Sequence, residues 1–325
     1  AMMIYVNHLF FKESEELPMI KKHFKKLVGL ALTAVMVMGM ATTTFAKESN
    51  NISNDTVTKT NNIIYSPEFP DAYIVTETSP APNNYSLNNE SKQLDTITAT
   101  VFVEETLATD KNEDIYVSNS RLLSKDEVEN IGIDNFSNIN TMSTSRAAKR
   151  TYGKLTLTFS GSQSISGKSV SCKLNGNANW DFGAFTSSEK NPAIGKDFMG
   201  ITWSGLFTTN SSSCSATDLT GKVTYPTMVD SIANGGRVWS FEESLFEDHF
   251  ANYNKNINAT INIKKNTMTG NGNTAEAVLK YIHTYQKTTG SVSMNVGSDS
   301  VSAGFTLSNV KNQWSLVCNI TGIYY

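Results

Sequence analysis

"TYGKLTLTFSGSQSISGKSVSCKL", residues 151–174, decides the fold class of this 325-residue chain. Leu155, Leu157 and Phe159 alternate with Thr156 and Thr158, and Val170, Cys172 and Leu174 alternate with small polar residues. A period of two puts the apolar set on one side of an extended chain and the polar set on the other, the signature of strands with one buried face.

The pattern continues on both sides of the chain's centre. Ile201, Trp203 and Phe207 share one parity, interrupted by Gly205. Ala259, Ile261 and Ile263 share another, as do Trp314, Leu316, Cys318 and Ile320. Asn/Gly-rich pieces ("LNGNAN", "ANGG", "MTGNGN") read as turns between them. Many short alternating strands with such punctuation predict an all-β, antiparallel β-sandwich, with jelly-roll and Ig-like arrangements left open. One short helix is expected inside it. "SFEESLFEDHF", residues 240–250, opens on a Ser240/Glu243 capping box and sets Phe241, Leu245 and His249 on one helical face. Within 289–308, "TGSVSMNVGSDSVSAGFTLS", Val292, Met294 and Val296 face one way, and Val301, Ala303, Phe305 and Leu307 share a parity on the return. This hairpin is expected in the middle of a meander whose greasy side meets the core.

The N-terminal part divides by composition. Residues 1–18 precede a complete export signal and read as a mis-extended or non-native start. Residues 19–46 carry that signal: Lys21, Lys22, Lys25 and Lys26, then an apolar run from Leu27 to Met40, then small residues ending at Ala46. The run is shorter than the ~20 residues that span a bilayer. Residues 47–94 are rich in Asn, Ser, Thr and Pro and predict a largely disordered leader. Residues 95–150 predict a small strand–helix segment and linker, with a second capping box at Ser124 and Glu127. Residues 47–150 carry nine basic and 16 acidic residues, a net of −7, whereas 151–325 carry 13 and 11, a net of +2. That reversal gives residues 95–150 the look of a pro-segment before a 151–325 sandwich domain, with Lys149 and Arg150 as its processing site. An ordinary exposed linker is the competing reading.

The chemistry available is sparse. A net charge of −3 with 18% charged residues gives no basic footprint for nucleic acid. The sequence lacks HExxH, GxSxG, Walker A, GxGxxG and EF-hand patterns, so neither metal nor cofactor is expected and the chain leans non-enzymatic. Three cysteines cannot all pair within one chain. Cys172 and Cys318 both occupy apolar registers and are the favoured disulfide, against two unpaired buried thiols or a pairing with Cys214 in a Ser-rich loop.

Tyr281, His283 and Tyr285 project from one side of a strand, and Trp180 sits between Asn179 and Asp181 in a setting that suggests exposure. Flat aromatic faces of this kind stack on sugars; in the competing reading the row is a cross-strand ladder that stabilises the sheet. The resulting expectation is a secreted, bacterial-type binding module acting outside the cell on glycan, cell wall or extracellular protein. Two alternatives stand beside it. One is a membrane-active protein that inserts hairpin 289–308, whose arms are short for a spanning strand. The other is a hydrolase without a local motif, its base at His249 or His283.

Overall fold

A computed structural model describes residues 63–81, 91–109, 111, 115–132, 149–182, 195–218, 221–245, 251–252, 254–268, 273–285, 290–294 and 304–325. They belong to a compact unit, Lys59–Tyr325, built as an antiparallel β-sandwich. Residues 1–46, with the expected start and export signal, and His249 lie outside the described residues.

The founding hairpin is β6 (Lys149–Ser166) and β7 (Ser169–Phe182), joined where Gly167 takes a φ of 59° that the tight reversal requires. Leu155, Leu157, Phe159, Leu174, Ala178 and Trp180 all point into the core. The nine-stranded sheet grows outward from this pair. On one side lie β14 (Asn254–Lys265), β9 (Thr208–Asp218) and β10 (Val223–Thr224). On the other lies β4 (Thr96–Thr109), whose far edge is shared by β2 (Ile74–Ser79) and β5 (Ile115–Leu122), while β3 (Ser91–Gln93) pairs with β6.

The facing, seven-stranded sheet runs β1 (Ile64–Tyr65), β18 (Gln313–Tyr324), β15 (Thr274–Thr284), β8 (Gly195–Trp203), β12 (Gly236–Leu245) and β11 (Thr227–Ile232), with β13 (Ala251–Asn252) also on β12. The inner faces meet in one apolar core that includes Ile97, Leu157, Ile201, Trp203, Ile261, Leu279 and Leu316. Close approach is built in at Gly176, where an added Cβ would sit 2.6 Å from Leu279 Cδ1 across the sandwich.

Several expectations change. "LNGNAN" is not a turn but the middle of β7: Leu174, Gly176 and Ala178 face inward and the asparagines face out. The helix expected over 240–250 is replaced across Ser240–Leu245 by β12, which pairs with β8 as far as Glu243↔Gly195. Strand pairing to β8, with β11 at Ser240 and β13 at Ser244–Leu245, outweighs a capping signal in a segment too short to be a stable helix alone. The described helix is α1 (Lys125–Ile131), capped by Ser124 and Glu127. The backbone N–H of Ser124, donating to Glu127, is the main cause holding that carboxyl below its ordinary range.

The stretch expected as disordered leader supplies β1, β2 and β3 to the two sheets. No sheet edge separates residues 95–150 from 151–325 either, because β4 runs beside β6 from Ile97↔Phe159 to Leu107↔Lys149.

The Cys172–Cys318 bridge is not formed; both are buried free thiols, on β7 and β18 of opposite sheets. Facing sheets pack about 10 Å apart, whereas a disulfide needs Cα atoms within roughly 7 Å. Cys214 is likewise free and buried, in strand β9 rather than a loop. Burial pushes the Cys172 and Cys214 thiols up to about 12 and raises Cys318 as well.

Hairpin 289–308 is not part of a meander. β15 pairs directly with β18, and β16 (Ser291–Met294) with β17 (Phe305–Ser308) forms a separate two-stranded ribbon. Phe305, Leu307, Val292 and Met294 of the ribbon pack on Phe198, Val238 and Ile282 of the seven-stranded sheet. Its greasy side meets protein, on the outer rather than the inner face of that sheet. Gly200 makes the seat: an added Cβ would fall 2.8 Å from the Phe305 ring.

Candidate functional site

The alternation along β15 sends Tyr281 and His283 into the sandwich, not onto its surface. Trp180 is enclosed too, because in a strand its polar neighbours Asn179 and Asp181 point to the opposite face. The exposed aromatic patch expected from these residues is therefore not formed; Tyr285 remains half-buried, stacked on His283 at 6.3 Å.

What the fold assembles instead is a buried polar cluster between the sheets. Asp197, on β8, is fully enclosed and accepts hydrogen bonds from Tyr281 Oη on Oδ2 and from the Thr284 backbone N–H on Oδ1, the latter at 2.9 Å. Trp180 Nε1 donates to Tyr281 Oη at 2.8 Å. His283 Nδ1 lies 3.0 Å from Asp197 Oδ2, and its Nε2 lies 3.3 Å from Oε1 of Glu105, a buried residue of β4 in the other sheet. The imidazole is walled by Trp314 and Trp180, with ring centroids 5.0 and 5.5 Å away. Such a His–carboxylate grouping has the composition of a general base, but His283 is only 2% exposed. No group of three or more His, Cys, Asp or Glu with metal-binding geometry occurs among the described residues.

The processing site expected at Lys149 and Arg150 lies in β6, opposite Leu107 and Thr106. Arg150 is exposed and reaches Glu104 at 3.7 Å. A backbone held in a sheet ladder is a poor protease substrate compared with an exposed loop tip.

An accessible surface with a uniform chemistry occupies the middle of the outer face of the nine-stranded sheet, beside the apolar cluster of Phe102, Leu123 and Val128. One row across it reads Thr100, Thr156, Asn179, Asn256, Thr217; the next reads Thr98, Thr158, Asn177, Asn258, Ser215; a third reads Ser160, Asn175, Thr260, Ser213. None of these side chains carries a charge. Strand geometry spaces them about 4.8 Å across and about 7 Å along the sheet.

Neighbours on this face are tied to one another. Thr100 and Thr156 hydroxyls are 3.0 Å apart, Asn177 Nδ2 donates to Oδ1 of Asn256 and Asn258 at 2.7 and 2.8 Å, and Thr260 donates to Asn175 at 3.2 Å. Charge begins at its borders, with the Lys154–Asp181 ion pair at 3.1 Å beyond Thr156 and Lys173 beyond Asn175. The sequence signal for this surface was present as N-x-N and T-x-T repeats. The asparagines of β7 have the composition of a turn, which hides it in the sequence.

A second surface feature is the chain's passage from one sheet edge to the other. β10 and β11 are edge strands of different sheets, and Val223, Tyr225, Met228, Val229 and Ile232 are all exposed along them, Tyr225 by 82%.

No protein-family model matches the sequence, and no curated protein matches it. Solved structures similar to the chain include the C-terminal domain of the AgI/II polypeptide BspA of Streptococcus agalactiae, with 10% identity over 75% of this chain and 99% of that chain and a TM-score of 0.22. The collagen adhesin CNA from S. aureus has 9% identity over 66% of this chain and 88% of its own, with a TM-score of 0.20. The C-terminal domain of the Streptococcus pyogenes antigen I/II-family protein AspA has 8% identity over 66% and 96%, with a TM-score of 0.21.

Proposed function

We propose that the chain is an exported, non-enzymatic β-sandwich module that binds a neutral, hydroxyl-rich glycan on the outer face of its nine-stranded sheet. The observation that carries this reading is the block of Thr, Asn and Ser side chains without a formal charge, already hydrogen-bonded to one another. A surface so ordered loses little rotamer freedom when a ligand arrives, and its hydroxyls and amides both donate and accept. An uncharged sugar face can exchange water for such groups without desolvating an ion. The signal-like composition of residues 19–46 supports export.

The test is sedimentation of the full chain with insoluble neutral polysaccharides and with acidic ones, at low salt and at about 0.5 M salt, where surface charge is screened. Retention on a neutral polymer that is insensitive to salt is expected, with roughly tenfold weaker retention of the Thr158→Lys/Asn177→Lys double variant. Retention only on acidic polymers, or unchanged retention of the double variant, overturns the reading.

The exposed apolar edge at Val223–Ile232 supports a second reading, docking of an extracellular protein. Tyr225→Ser with Met228→Ser would abolish that docking and leave glycan retention intact.

A further inference from the structure

We propose that His283 is a proton-dependent latch between the two sheets, closed when its imidazole is doubly protonated and opened on the Glu105 side when it is not. Both ring nitrogens lie within ion-pair distance of carboxylate oxygens: Nδ1 is 3.0 Å from Asp197 of β8, and Nε2 is 3.3 Å from Glu105 of β4 without hydrogen-bond alignment. A carboxylate only accepts, so both contacts are attractive only if both nitrogens carry hydrogen, the imidazolium form. Besides these two carboxylates, Tyr285 of β15 stacks on the ring and Tyr281 of β15 shares Asp197 Oδ2 with it. β7 and β18 contribute the uncharged rings of Trp180 and Trp314.

The two contacts are unequal. Asp197 is fixed by Tyr281 and by the Thr284 backbone, belongs to the same sheet as His283, and makes the closer contact at 3.0 Å. The Glu105 contact is longer, at 3.3 Å, and crosses from one sheet to the other. When one proton leaves, Nδ1–H stays with Asp197 and Nε2 turns a lone pair toward Glu105. Attraction across the sandwich becomes repulsion between two acceptors in a setting of low dielectric. The sheets then loosen at the end where β4, β8 and β15 meet.

The sign of the pH effect follows. An unfolded histidine releases its proton near pH 6.5, whereas the folded latch retains it. The stabilisation is complete below that pH and is lost as the pH rises and the folded ring gives up its proton.

Two measurements on the full chain decide the matter. Ring-nitrogen NMR with ¹⁵N-histidine, the His283 signals assigned by comparison with His8→Gln, His23→Gln and His249→Gln variants, should show both nitrogens protonated at pH 7. Denaturation across pH should show the folding constant falling by up to roughly tenfold per pH unit above about 6.5, and Glu105→Gln should flatten that fall, because an amide can donate to a neutral ring as readily as it accepts. A single neutral tautomer at pH 7, or an equal fall in the wild type and Glu105→Gln, overturns the latch. The NMR result stands even if the variant fails to fold.

Discussion

The two sheets of this sandwich solve the same problem under different conditions. The nine-stranded sheet has one face in the core and, away from the Phe102 cluster that α1 covers, one toward water, and β14 alternates accordingly, with Ile257, Ala259, Ile261 and Ile263 inward and Asn258, Thr260 and Asn262 outward. The seven-stranded sheet is covered on both sides, inside by the core and outside by the β16–β17 ribbon and Tyr65 of β1. Its central strand β15 is consequently buried at every position from Ala277 to Thr284. The outward Thr, Asn and Ser rows of the first sheet sit at the surface and bond to their neighbours. On the second, Asp197, Lys280 and His283 are enclosed, so each depends on a specific partner or shifts its ionisation. The same polar substitution should therefore cost very different amounts on the two sheets.

The largest effect is expected at Asp197. Its removal leaves Tyr281 Oη, His283 Nδ1 and the Thr284 N–H facing an emptied site. Breaking one side of a buried charged network typically costs about 3–5 kcal/mol. Asp197→Ala should lower the unfolding midpoint by an amount in that range, measured by denaturant titration; a loss below about 1 kcal/mol would mean that the cluster is open to water.

Phe305→Ala comes next. The ring fills the seat above Gly200, and a Phe→Ala truncation in a packed site costs about 3–5 kcal/mol. The ribbon is held by side-chain packing rather than by pairing to the larger sheet, so it can settle into the gap, and a value near the lower end is expected. Hydrogen exchange should quicken at β16, β17 and the outer face of β8 while β6 and β7 keep their protection.

This contrast also explains how far the sequence could be read. Leu155, Leu157 and Phe159 were legible as inward residues because their partners on the other parity face water. β15 reads as Ala277-Val278-Leu279-Lys280-Tyr281-Ile282-His283, in which apolar residues occupy both parities, the form taken by a strand buried on two faces. Nothing local shows what covers the second face, because the ribbon's apolar side looks the same whether it meets a core, a lipid or another sheet. The His283 cluster was half legible. His283 stood out, but Asp197 is 86 residues away along the chain and Glu105 lies farther still, so only the fold brings them together. The strands Ile64–Tyr65, Ile74–Ser79 and Ser91–Gln93 are hidden in the sequence for a related reason. A strand that faces water on one side, such as Ile74–Ser79, has nearly the composition of a disordered spacer.

Lys280 tests the covered face in the opposite pH direction to His283. It lies under the ribbon, its Nζ 6.0 Å from the Phe305 ring centroid, and burial lowers its amine's proton affinity, with Glu68 acting weakly the other way. Between that lowered folded value and the ordinary value of about 10.4, the unfolded chain binds more protons than the folded one. Stability contributed by this residue therefore rises with pH through that interval. Lys280→Met should remove the rise and, near neutral pH, be neutral or stabilising by about 1 kcal/mol, as hydrophobic replacements of buried charge often are. A clear loss of stability at neutral pH would show that the ammonium has a role in holding the ribbon.

The smallest effect belongs to the open face, and it is the most telling for function. Asn177 donates to Asn256 and Asn258, bonds that resemble those of Asp197 on paper. Water can replace them at the surface, so Asn177→Ala should change stability by no more than about 0.5 kcal/mol. The same substitution removes a donor from the middle of the uncharged rows and should weaken retention on a neutral glycan by a few-fold. Stability unchanged with retention reduced would separate the face's role in binding from any role in folding. A loss of several kcal/mol would instead make the asparagine rows a structural ladder, and the two sheets would then differ less than their burial implies.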